Sequence, residues 1–360
     1  MLIKTFEVGK TLLIDGSACV NIISGAVEVF GFQLRNRQTV VREGKRLPFY
    51  VMEKAELDIS LGTNAGVLEI EGNTIPQSWI DISQSLLDMQ KKPTVVLIIG
   101  KIDSGKSSFS TYLLNRLVNP KRCVAVLDGD MGQSDIGPPG TLGYALASKP
   151  ATELYSLKTE DAVFVGVTTP VKAIKQTVDG FARLQVEILK KNPDFVIVNT
   201  DGWVTGEDSI QYKAHLVELL KPDLIVGIQI EKELEPLLSV LGDKPVKIIE
   251  SPISVKERDT EKRQKLRDKS YGRYLQKAKV RLLYLNQYKV ENSEIIEEYG
   301  KEAEGLLLGF LNSKNKFLGI GILMEVNKKK KAFKVFTPVE SVISTIIVGR
   351  VHFDKELKET

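Results

Sequence analysis

Cysteine and histidine are scarce in this sequence, since the 360 residues contain only two of each. Cys19 and Cys123 lie in apolar runs, so we expect two buried thiols in a reducing compartment, the cytoplasm, and no disulfide. His215 and His352 are far apart, which leaves no pattern for a structural zinc ion or a histidine-based triad. Any chemistry must therefore use carboxylates, hydroxyls, lysine or arginine, with a hard cation where one is needed.

Long hydrophobic runs are also absent. No apolar run approaches the ~18 to 20 residues of a membrane span, and the N-terminal sequence MLIKTFEVGKTLL lacks the organisation of a signal peptide. We therefore expect no membrane association. With 42% hydrophobic and 27% charged residues the chain has the composition of a folded globular protein, and its length exceeds that of one ordinary domain.

Hydrophobic patterning divides the chain into four stretches. Residues 1–76 contain short β-rich runs, which predict an N-terminal β-sandwich-like domain, and residues 77–92 predict a connecting helix. Residues 93–281 alternate apolar strands with amphipathic helices, and residues 282–360 predict a C-terminal β domain. The fold class is therefore α/β, with a central doubly wound parallel sheet flanked by two small β domains. The strands predicted for the parallel sheet are TVVLIIG, CVAVLDGD, AVFVGV, DFVIVNT, LIVGIQ and VKIIES.

Positive charge is concentrated in residues 253–281, which we predict to form a basic lid helix of the central domain. This segment has eleven Lys/Arg and four Asp/Glu, a net charge of +7, whereas the whole chain has a net charge of +4. Arginines that reach an anion from outside its binding loop stabilise it strongly. Such a helix is also typical of a solvated surface, and this alternative stays open above all for Arg267 and Arg273.

The run VVLIIGKIDSGKSS, residues 95–108, contains the pattern G-x-x-x-x-G-K-[ST] between a buried strand and a helix. Glycines let successive backbone N–H groups point at phosphate oxygens, and the N-terminus of the helix adds partial positive charge. The lysine can reach the β- and γ-phosphates, and the serine hydroxyl after it can bind Mg²⁺. We therefore expect ATP or another nucleoside triphosphate, with Mg²⁺, at Gly100, Asp103, Ser104, Gly105, Lys106, Ser107 and Ser108.

Two carboxylates follow the next predicted strand, in VAVLDGDMGQSDIGPPG. Asp128 ends the apolar run, which is the usual position of a metal-organising carboxylate in phosphate-loop proteins, and Asp130 lies two residues further on. At strand spacing the two side chains point to the same side. One carboxylate can hold the metal's water shell while the other accepts a proton from an attacking hydroxyl or water. A pair of turn-forming aspartates is the alternative.

The phosphate-binding loop, DGDMGQSDIGPPG at residues 128–140, TDGWVTG at 200–206 and the arginine-spaced segment from Arg258 together resemble the polynucleotide 5′-hydroxyl kinase family. This family includes RNA kinases of pre-mRNA cleavage, tRNA splicing and ribosomal RNA processing, and the simple layout resembles its archaeal members. The resemblance implies transfer of the γ-phosphate of ATP to the 5′-hydroxyl end of single-stranded RNA, with DNA ends left open. It also implies RNA-processing proteins as partners and an N-terminal β domain beside the nucleobase.

The resemblance further implies roles at the reacting groups. Asp130 would be the general base facing the 5′-hydroxyl, and Asp128 would assist Ser107 at the metal. Gln133 would help order the γ-phosphate or the metal waters. The roles of Ser134 and Asp135, which follow it, stay open because the family more often has small residues there.

Other implied roles concern RNA and the transferred phosphate. Thr168 and Thr169 of GVTTP would grip the RNA backbone, and Trp203 of TDGW would stack on the terminal base. Such stacking is worth ~1 to 3 kcal/mol, with plain core packing as the alternative. Arg258 and Arg263 would close over the phosphate, where negative charge spreads during transfer.

Two rival functions remain. The first is a switch NTPase, in which water attacks the triphosphate. GTPases usually carry Asn-Lys-x-Asp, but Asn-Lys at Asn315 and Asn327 lacks the aspartate. The second rival is an ATP-binding scaffold of an RNA-processing complex, which the presence of Lys106, Ser107 and Asp130 argues against. Nucleotide preference, RNA versus DNA preference and oligomeric state are not determined by these motifs.

Overall fold

The computed structural model describes residues 2–360, except for the side chains of Leu2 and Lys301. The chain forms two compact units. The first comprises Met1–Val126, Leu146–Lys158 and Ile188–Asp259, and the second comprises Leu127–Ala145, Thr159–Glu187 and Thr260–Thr360. The N-terminal β strands belong to the first unit and the C-terminal β strands to the second.

The N-terminal sheet of the first unit is antiparallel, with the strand order β4-β3-β6-β2-β7, while β1 pairs with β6 and β5 with β3. Buried and exposed residues alternate along the first half of β3, where Val20 and Ile22 are buried, as expected of a sheet with one face on a core. The strands are β1 (Leu2–Phe6), β2 (Lys10–Asp15), β3 (Ala18–Val29), β4 (Phe32–Leu34), β5 (Gln38–Val41), β6 (Arg46–Leu61) and β7 (Gly66–Glu71).

A connecting helix, α1 (Gln77–Leu87), follows this sheet. Its buried side chains Trp79, Ile82 and Leu86 recur at helical spacing and form its apolar face. The ring of Trp79 contacts the ring of Phe109 edge-on, with centroids 4.9 Å apart. Since Phe109 lies in α2 (Lys106–Leu117), α1 packs against the helix that follows the phosphate-binding motif.

Four parallel strands of the first unit lie in the order β12-β8-β13-β14. Val196 pairs with Val95, and Ile225 pairs with Leu97. Every residue of β8 and β12 is buried, as expected of parallel strands covered on both faces. The strands are β8 (Thr94–Gly100), β12 (Phe195–Asn199), β13 (Leu224–Gln229) and β14 (Val246–Glu250), with helices α4 (Glu207–Leu220) and α5 (Glu235–Leu241) between them.

The chain passes from the first unit to the second within strand β9 (Val124–Asp128), and β10 (Thr141–Ala147) is the next strand. In the second unit β10 pairs antiparallel with β11 (Thr159–Phe164), which precedes helix α3 (Ile174–Leu189). The α/β fold class is confirmed, but the prediction of AVFVGV as a parallel strand was wrong. A short connection joins β10 to β11, and only antiparallel neighbours can be joined without a long crossover.

The C-terminal sheet of the second unit has six strands in the order β15-β19-β18-β17-β20-β16. A Cβ placed on Gly309 would lie 2.3 Å from Cγ of Phe164, so β11 packs directly on this sheet at a glycine. The elements of this region are α6 (Thr260–Tyr274), β15 (Lys279–Tyr284), β16 (Lys289–Glu291), α7 (Glu294–Tyr299), β17 (Leu306–Leu311), β18 (Phe317–Asn327), β19 (Ala332–Thr337) and β20 (Thr345–His352).

Cys19 and Cys123 are free thiols, and both are half-buried rather than fully buried as their apolar surroundings had predicted. Burial raises the pKa of the Cys123 thiol above its ordinary value. Among residues 2–360, each helix is too short or too polar to cross a lipid bilayer.

Candidate active site

The phosphate loop, Gly100–Ser107, connects β8 to α2 in the first unit. A Cβ on Gly100 would lie 2.6 Å from Oγ of Ser104 and 2.7 Å from the carbonyl oxygen of Ile228, so only glycine fits there. Gly105 has a φ of +97°, a conformation that glycine adopts without strain. Both glycines of the motif are therefore required by the backbone of the loop.

Polar groups of the phosphate loop form the donor set that a triphosphate requires. Lys106 is buried at the first position of α2, and its Nζ lies 2.9 Å from the carbonyl oxygen of Gly100 and 2.7 Å from that of Lys101. Ser107 and Ser108 follow it and are half-buried. Within the described residues, no side chain caps the N-terminus of α2. An ammonium group beside an uncapped helix N-terminus fits a bound phosphate chain.

Ser104 differs from the other loop residues. It is fully buried, its Oγ has no hydrogen-bond partner among the described residues, and its N–H donates to the carbonyl oxygen of Lys101 at 3.2 Å. Its hydroxyl faces Gly100 rather than the open side of the loop. The nucleotide contact expected of Ser104 stays a prediction.

The segment 252–258 lies against the phosphate loop within the first unit. A Cβ on Gly105 would be 2.8 Å from Cδ of Pro252 and 3.2 Å from Cγ2 of Val255. The basic helix that the sequence placed at residues 253–281 is shorter, since α6 begins only at Thr260. The residues before it are irregular, with a turn at 253–254.

Arg258 belongs to this segment and binds the phosphate loop. Its Nη2 donates to Oδ1 of Asp103 at 2.6 Å, and its backbone N–H donates to Oδ2 at 2.8 Å. The Asp103 side chain is 4% exposed. The structure therefore brings Asp103 and Arg258 together, a pairing that the sequence motifs did not reveal because 155 positions separate the two residues.

Trp203 lies in the loop after β12, also in the first unit. Its indole ring is half-buried and stacks on the ring of Tyr212 in α4, with centroids 5.9 Å apart and planes 24° apart. A Cβ on the preceding Gly202 would be 2.7 Å from the backbone nitrogen of Ile102, so this turn lies directly against the phosphate loop. Trp203 is thus close to the loop, with its ring supported by one aromatic partner.

The two carboxylates predicted for catalysis lie in the second unit, where β9 ends. Asp128 is 1% exposed, and its carboxylate accepts the backbone N–H groups of Asp130 at 3.3 Å, Asp135 at 2.7 Å and Ile136 at 3.2 Å. Asp130 is half-buried, and its Oδ1 accepts the N–H of Gln133 at 2.9 Å. Asp128 therefore shapes the backbone of the turn, and that turn fixes the carboxylate of Asp130.

Gln133 connects this turn to the helix of basic residues. Its Nε2 donates to the carbonyl oxygen of Arg263, in the first turn of α6, at 3.2 Å. Arg267, whose role the sequence left open, forms an ion pair with Glu359. Within the second unit the structure thus brings Asp130, Gln133 and Arg263 into one connected group.

Thr168 and Thr169 follow β11 in the second unit. A Cβ on Gly132 would be 2.8 Å from the carbonyl oxygen of Thr168, so the backbone of this segment passes close to the turn that holds Asp130. Thr168 is half-buried and Thr169 is exposed. Their grip on RNA stays a prediction.

A site for Mg²⁺ depends on the side-chain donors that are present. No group of three or more His, Cys, Asp or Glu side chains among the described residues could hold a metal ion. In nucleotide sites Mg²⁺ is bound by one or two protein oxygens together with phosphates and water. Binding of Mg²⁺ by Ser107 and Asp128 stays a prediction.

A phosphate loop that follows a buried parallel strand and opens a helix defines a P-loop nucleotide-binding protein. The family model described as mRNA cleavage and polyadenylation factor CLP1 P-loop matches residues 100–277 of this chain. This match supports the resemblance to the polynucleotide kinase family that the motifs had indicated.

Curated relatives match most of the chain. It is 28% identical to a polyribonucleotide 5′-hydroxyl-kinase of Pyrococcus furiosus, over 75% of this chain and 90% of that protein. It is 24% identical to the protein of the same name from Methanocaldococcus jannaschii, over 79% of this chain and 94% of that protein. A CLP1 homologue of Nematostella vectensis is 27% identical over 78% of this chain.

Solved structures share the fold. The structure of wild-type Clp1p in complex with a part of Pcf11p has a TM-score of 0.77 and 16% sequence identity, over 98% of this chain and 97% of that chain. A second structure, which describes an extended interface between Pcf11p and Clp1p, has a TM-score of 0.78. This likeness confirms a P-loop domain flanked by β domains.

Proposed function

We propose that this protein is a polynucleotide 5′-hydroxyl kinase, which transfers the γ-phosphoryl group of ATP, or of another nucleoside triphosphate, to the 5′-hydroxyl end of RNA. The observation that carries the proposal is the presence, in a chain that matches this family, of a complete phosphate loop together with the D-x-D-x-G-Q turn after β9. The archaeal relatives named for this activity match the chain over most of their length.

The phosphate loop would hold the donor nucleotide. Bound ATP with Mg²⁺ supplies the phosphoryl group and a divalent charge that offsets its oxygens. Lys106 and the N–H groups at the start of α2 would bind the phosphates. Ser107 and Asp128 would hold the metal ion, with Asp128 acting through water because its oxygens already accept backbone N–H groups.

Asp130 would accept the proton of the attacking 5′-hydroxyl. Its Oδ1 is held by the N–H groups of Gly132 and Gln133, which gives the carboxylate one defined orientation. Arg263, and Arg258 once it exchanges Asp103 for a phosphate oxygen, would stabilise the charge that spreads over the transferred group.

RNA would bind by contacts that do not depend on its base sequence. Thr168 and Thr169 would hydrogen-bond to the backbone near the 5′ end, and Trp203 would stack on the terminal base. The net charge of +7 in residues 253–281 would attract the phosphates. Affinity for an oligonucleotide should then fall as salt rises, since counterions are released on binding.

The proposal includes the cellular compartment and the protein partners. The free thiols of Cys19 and Cys123 support a reducing compartment, the cytoplasm. The match to the mRNA cleavage and polyadenylation factor CLP1 P-loop family supports a role in RNA processing, with other proteins of that process as partners.

The test is a transfer assay with γ-labelled ATP and a short 5′-hydroxyl RNA. Label should move onto the RNA in the wild type. Asp130→Asn should abolish transfer while leaving ATP binding unchanged, and Asp88→Asn, at an exposed carboxylate after α1, should behave as wild type. Release of free phosphate alone would support a switch NTPase, and ATP binding without any turnover would support a scaffold.

A further inference from the structure

A lysine is completely buried beside the loop that carries Trp203. The side chain of Lys213, in α4, has 0% exposure, and its Nζ lies 2.7 Å from Oδ2 of Asp201, which is itself 6% exposed. Buried lysines are rare because the ammonium group loses its hydration, and an apolar pair of similar size is often as stable. Because the ammonium group loses its hydration, we infer that this ion pair holds a specific local conformation.

The carboxylate of Asp201 is the centre of a hydrogen-bond network. Its Oδ2 accepts the hydroxyl of Tyr212 at 2.9 Å as well as Nζ of Lys213. Its Oδ1 accepts the backbone N–H of Trp203 at 2.9 Å. Lys213 also reaches the carbonyl oxygen of Asp201 at 3.2 Å. These four bonds hold both ends of the turn from Asp201 to Trp203.

The same network holds the ring on which Trp203 lies. The hydroxyl of Tyr212 is bound to Asp201, and Nζ of Lys213 is 4.8 Å from the centroid of the Tyr212 ring, within the range of a cation–π contact. Because Trp203 stacks on this ring, the orientation of the indole depends on both charged residues.

The turn has little room to move elsewhere. Gly202 lies so close to Ile102 that a Cβ would be 2.8 Å from Cα of that residue. Thr200, just before the turn, donates from its Oγ1 to the carbonyl oxygen of Ile98 at 2.8 Å. The position of Trp203 is therefore fixed from the phosphate loop, from β8 and from α4, all within the first unit.

We infer that Asp201, Tyr212 and Lys213 are positioning residues that hold Trp203 as a preformed stacking surface for the base at the 5′ end of the acceptor strand. This inference rests on the proposed kinase function. An indole that is ordered before the base arrives contributes its stacking energy without the entropic cost of ordering a loop. These residues thus set the affinity for the acceptor through Trp203 rather than through contact with RNA.

The experiment compares Asp201→Asn and Tyr212→Leu with Tyr212→Phe, which keeps the ring but loses one hydrogen bond. We expect Asp201→Asn and Tyr212→Leu to raise the apparent KM for a 5′-hydroxyl RNA about five- to thirtyfold. The KM for ATP and kcat should change less than about twofold, and Tyr212→Phe should lie between wild type and Tyr212→Leu. Gln211→Ala, at an exposed position of α4, should behave as wild type.

An RNA whose 5′-terminal nucleotide lacks its base adds a second comparison. Wild type should bind the base-lacking RNA as weakly as Asp201→Asn binds the complete RNA. The affinity of Asp201→Asn should be only slightly lower for the base-lacking RNA than for the complete RNA. Acrylamide quenching reports on the tryptophan directly, because the only other one, Trp79, is fully buried. Quenching should increase in Asp201→Asn and in Tyr212→Leu, because the indole becomes mobile.

Equal losses for ATP and RNA, or a fall in melting temperature with no change in quenching, would overturn the inference in favour of a purely structural network. Failure of the kinase proposal would be recognised separately. In that case no label transfer occurs in the wild type, while titration of Trp203 fluorescence with complete and base-lacking RNA still measures stacking.

Discussion

Arg258 binds Asp103 with its side chain and its backbone at once. Both Nε and Nη2 donate to Oδ1, at 3.1 and 2.6 Å, and the backbone N–H donates to Oδ2 at 2.8 Å. Asp103 has a φ of +55°, a conformation that aspartate tolerates better than most residues. A negative charge on the phosphate loop is thus neutralised by the arginine that the family resemblance assigns to the transferred phosphate.

Arg258→Ala should weaken ATP binding about tenfold, because it removes the guanidinium from a buried carboxylate beside the site of an anionic ligand. Asp103→Ala in the same chain should restore most of the loss, since the uncompensated charge is gone. Isothermal titration with ATP measures both. Simple addition of the two single effects would show that the residues act independently.

Gly105→Ala should weaken ATP binding by at least about tenfold. The added Cβ meets Pro252 at 2.8 Å, and the φ of +97° is strained for alanine. Gly206→Ala is the matched control, because Gly206 has a φ of +89° and no atom of the described residues lies within 4 Å of its added Cβ. That variant should lose about 1 to 2 kcal/mol of stability and keep its ATP affinity. Equal loss of ATP affinity in both variants would assign the effect to backbone strain alone.

The phosphate loop could be predicted from the sequence because its determinants are local. Gly100 and Gly105 are required by close contacts or by φ, and Lys106 and Ser107 follow in the first turn of a helix. The apolar runs of the parallel strands are equally local, since a strand buried on both faces needs no polar positions.

Other parts of the site depend on contacts between distant residues, which periodicity does not report. Arg258 pairs with Asp103, which is 155 positions away in the sequence, and Arg267 pairs with Glu359, which is 92 positions away. Lys213 lies on the buried face of α4 beside Tyr212 and Val217, but its partner Asp201 is twelve positions earlier, in the loop before the helix. Strand β10 was not predicted, because the glycine and the two alanines of TLGYALA weaken the signal of a strand.

Arg263 and Arg267 should differ in what they contribute, although both lie in α6. Arg263→Gln should lower the single-turnover rate of transfer about 10²- to 10³-fold with little effect on stability. Arg267→Gln should lower the free energy of unfolding by about 2 kcal/mol, because it breaks a largely buried pair with Glu359, and should leave the rate within about threefold. Urea unfolding and rapid-quench assays separate the two effects. A rate loss in Arg267→Gln as large as that in Arg263→Gln would assign phosphate contact to both.

The raised pKa of Tyr144 predicts how the stability of the protein changes in alkaline solution. Burial, and then the nearby carboxylate of Asp161, raises the pKa of Tyr144 to about 12. Because the unfolded chain releases this proton near pH 10, the folded state is disfavoured progressively between about pH 10 and 12. Tyr144→Phe should therefore lose less melting temperature than wild type between pH 8 and pH 11. Parallel losses in the two proteins would mean that Tyr144 titrates normally.

The support of Trp203 has a consequence for engineering. The tetrapeptide TDGW supplies the aromatic surface and one charge, but Tyr212 and Lys213, which hold that surface, come from the next helix. Grafting the tetrapeptide alone into another scaffold would transfer a flexible tryptophan with a poorly neutralised aspartate. Residues 200–213 contain the whole network, and a scaffold that received them would also have to reproduce the contacts of Gly202 with Ile102 and of Thr200 with Ile98.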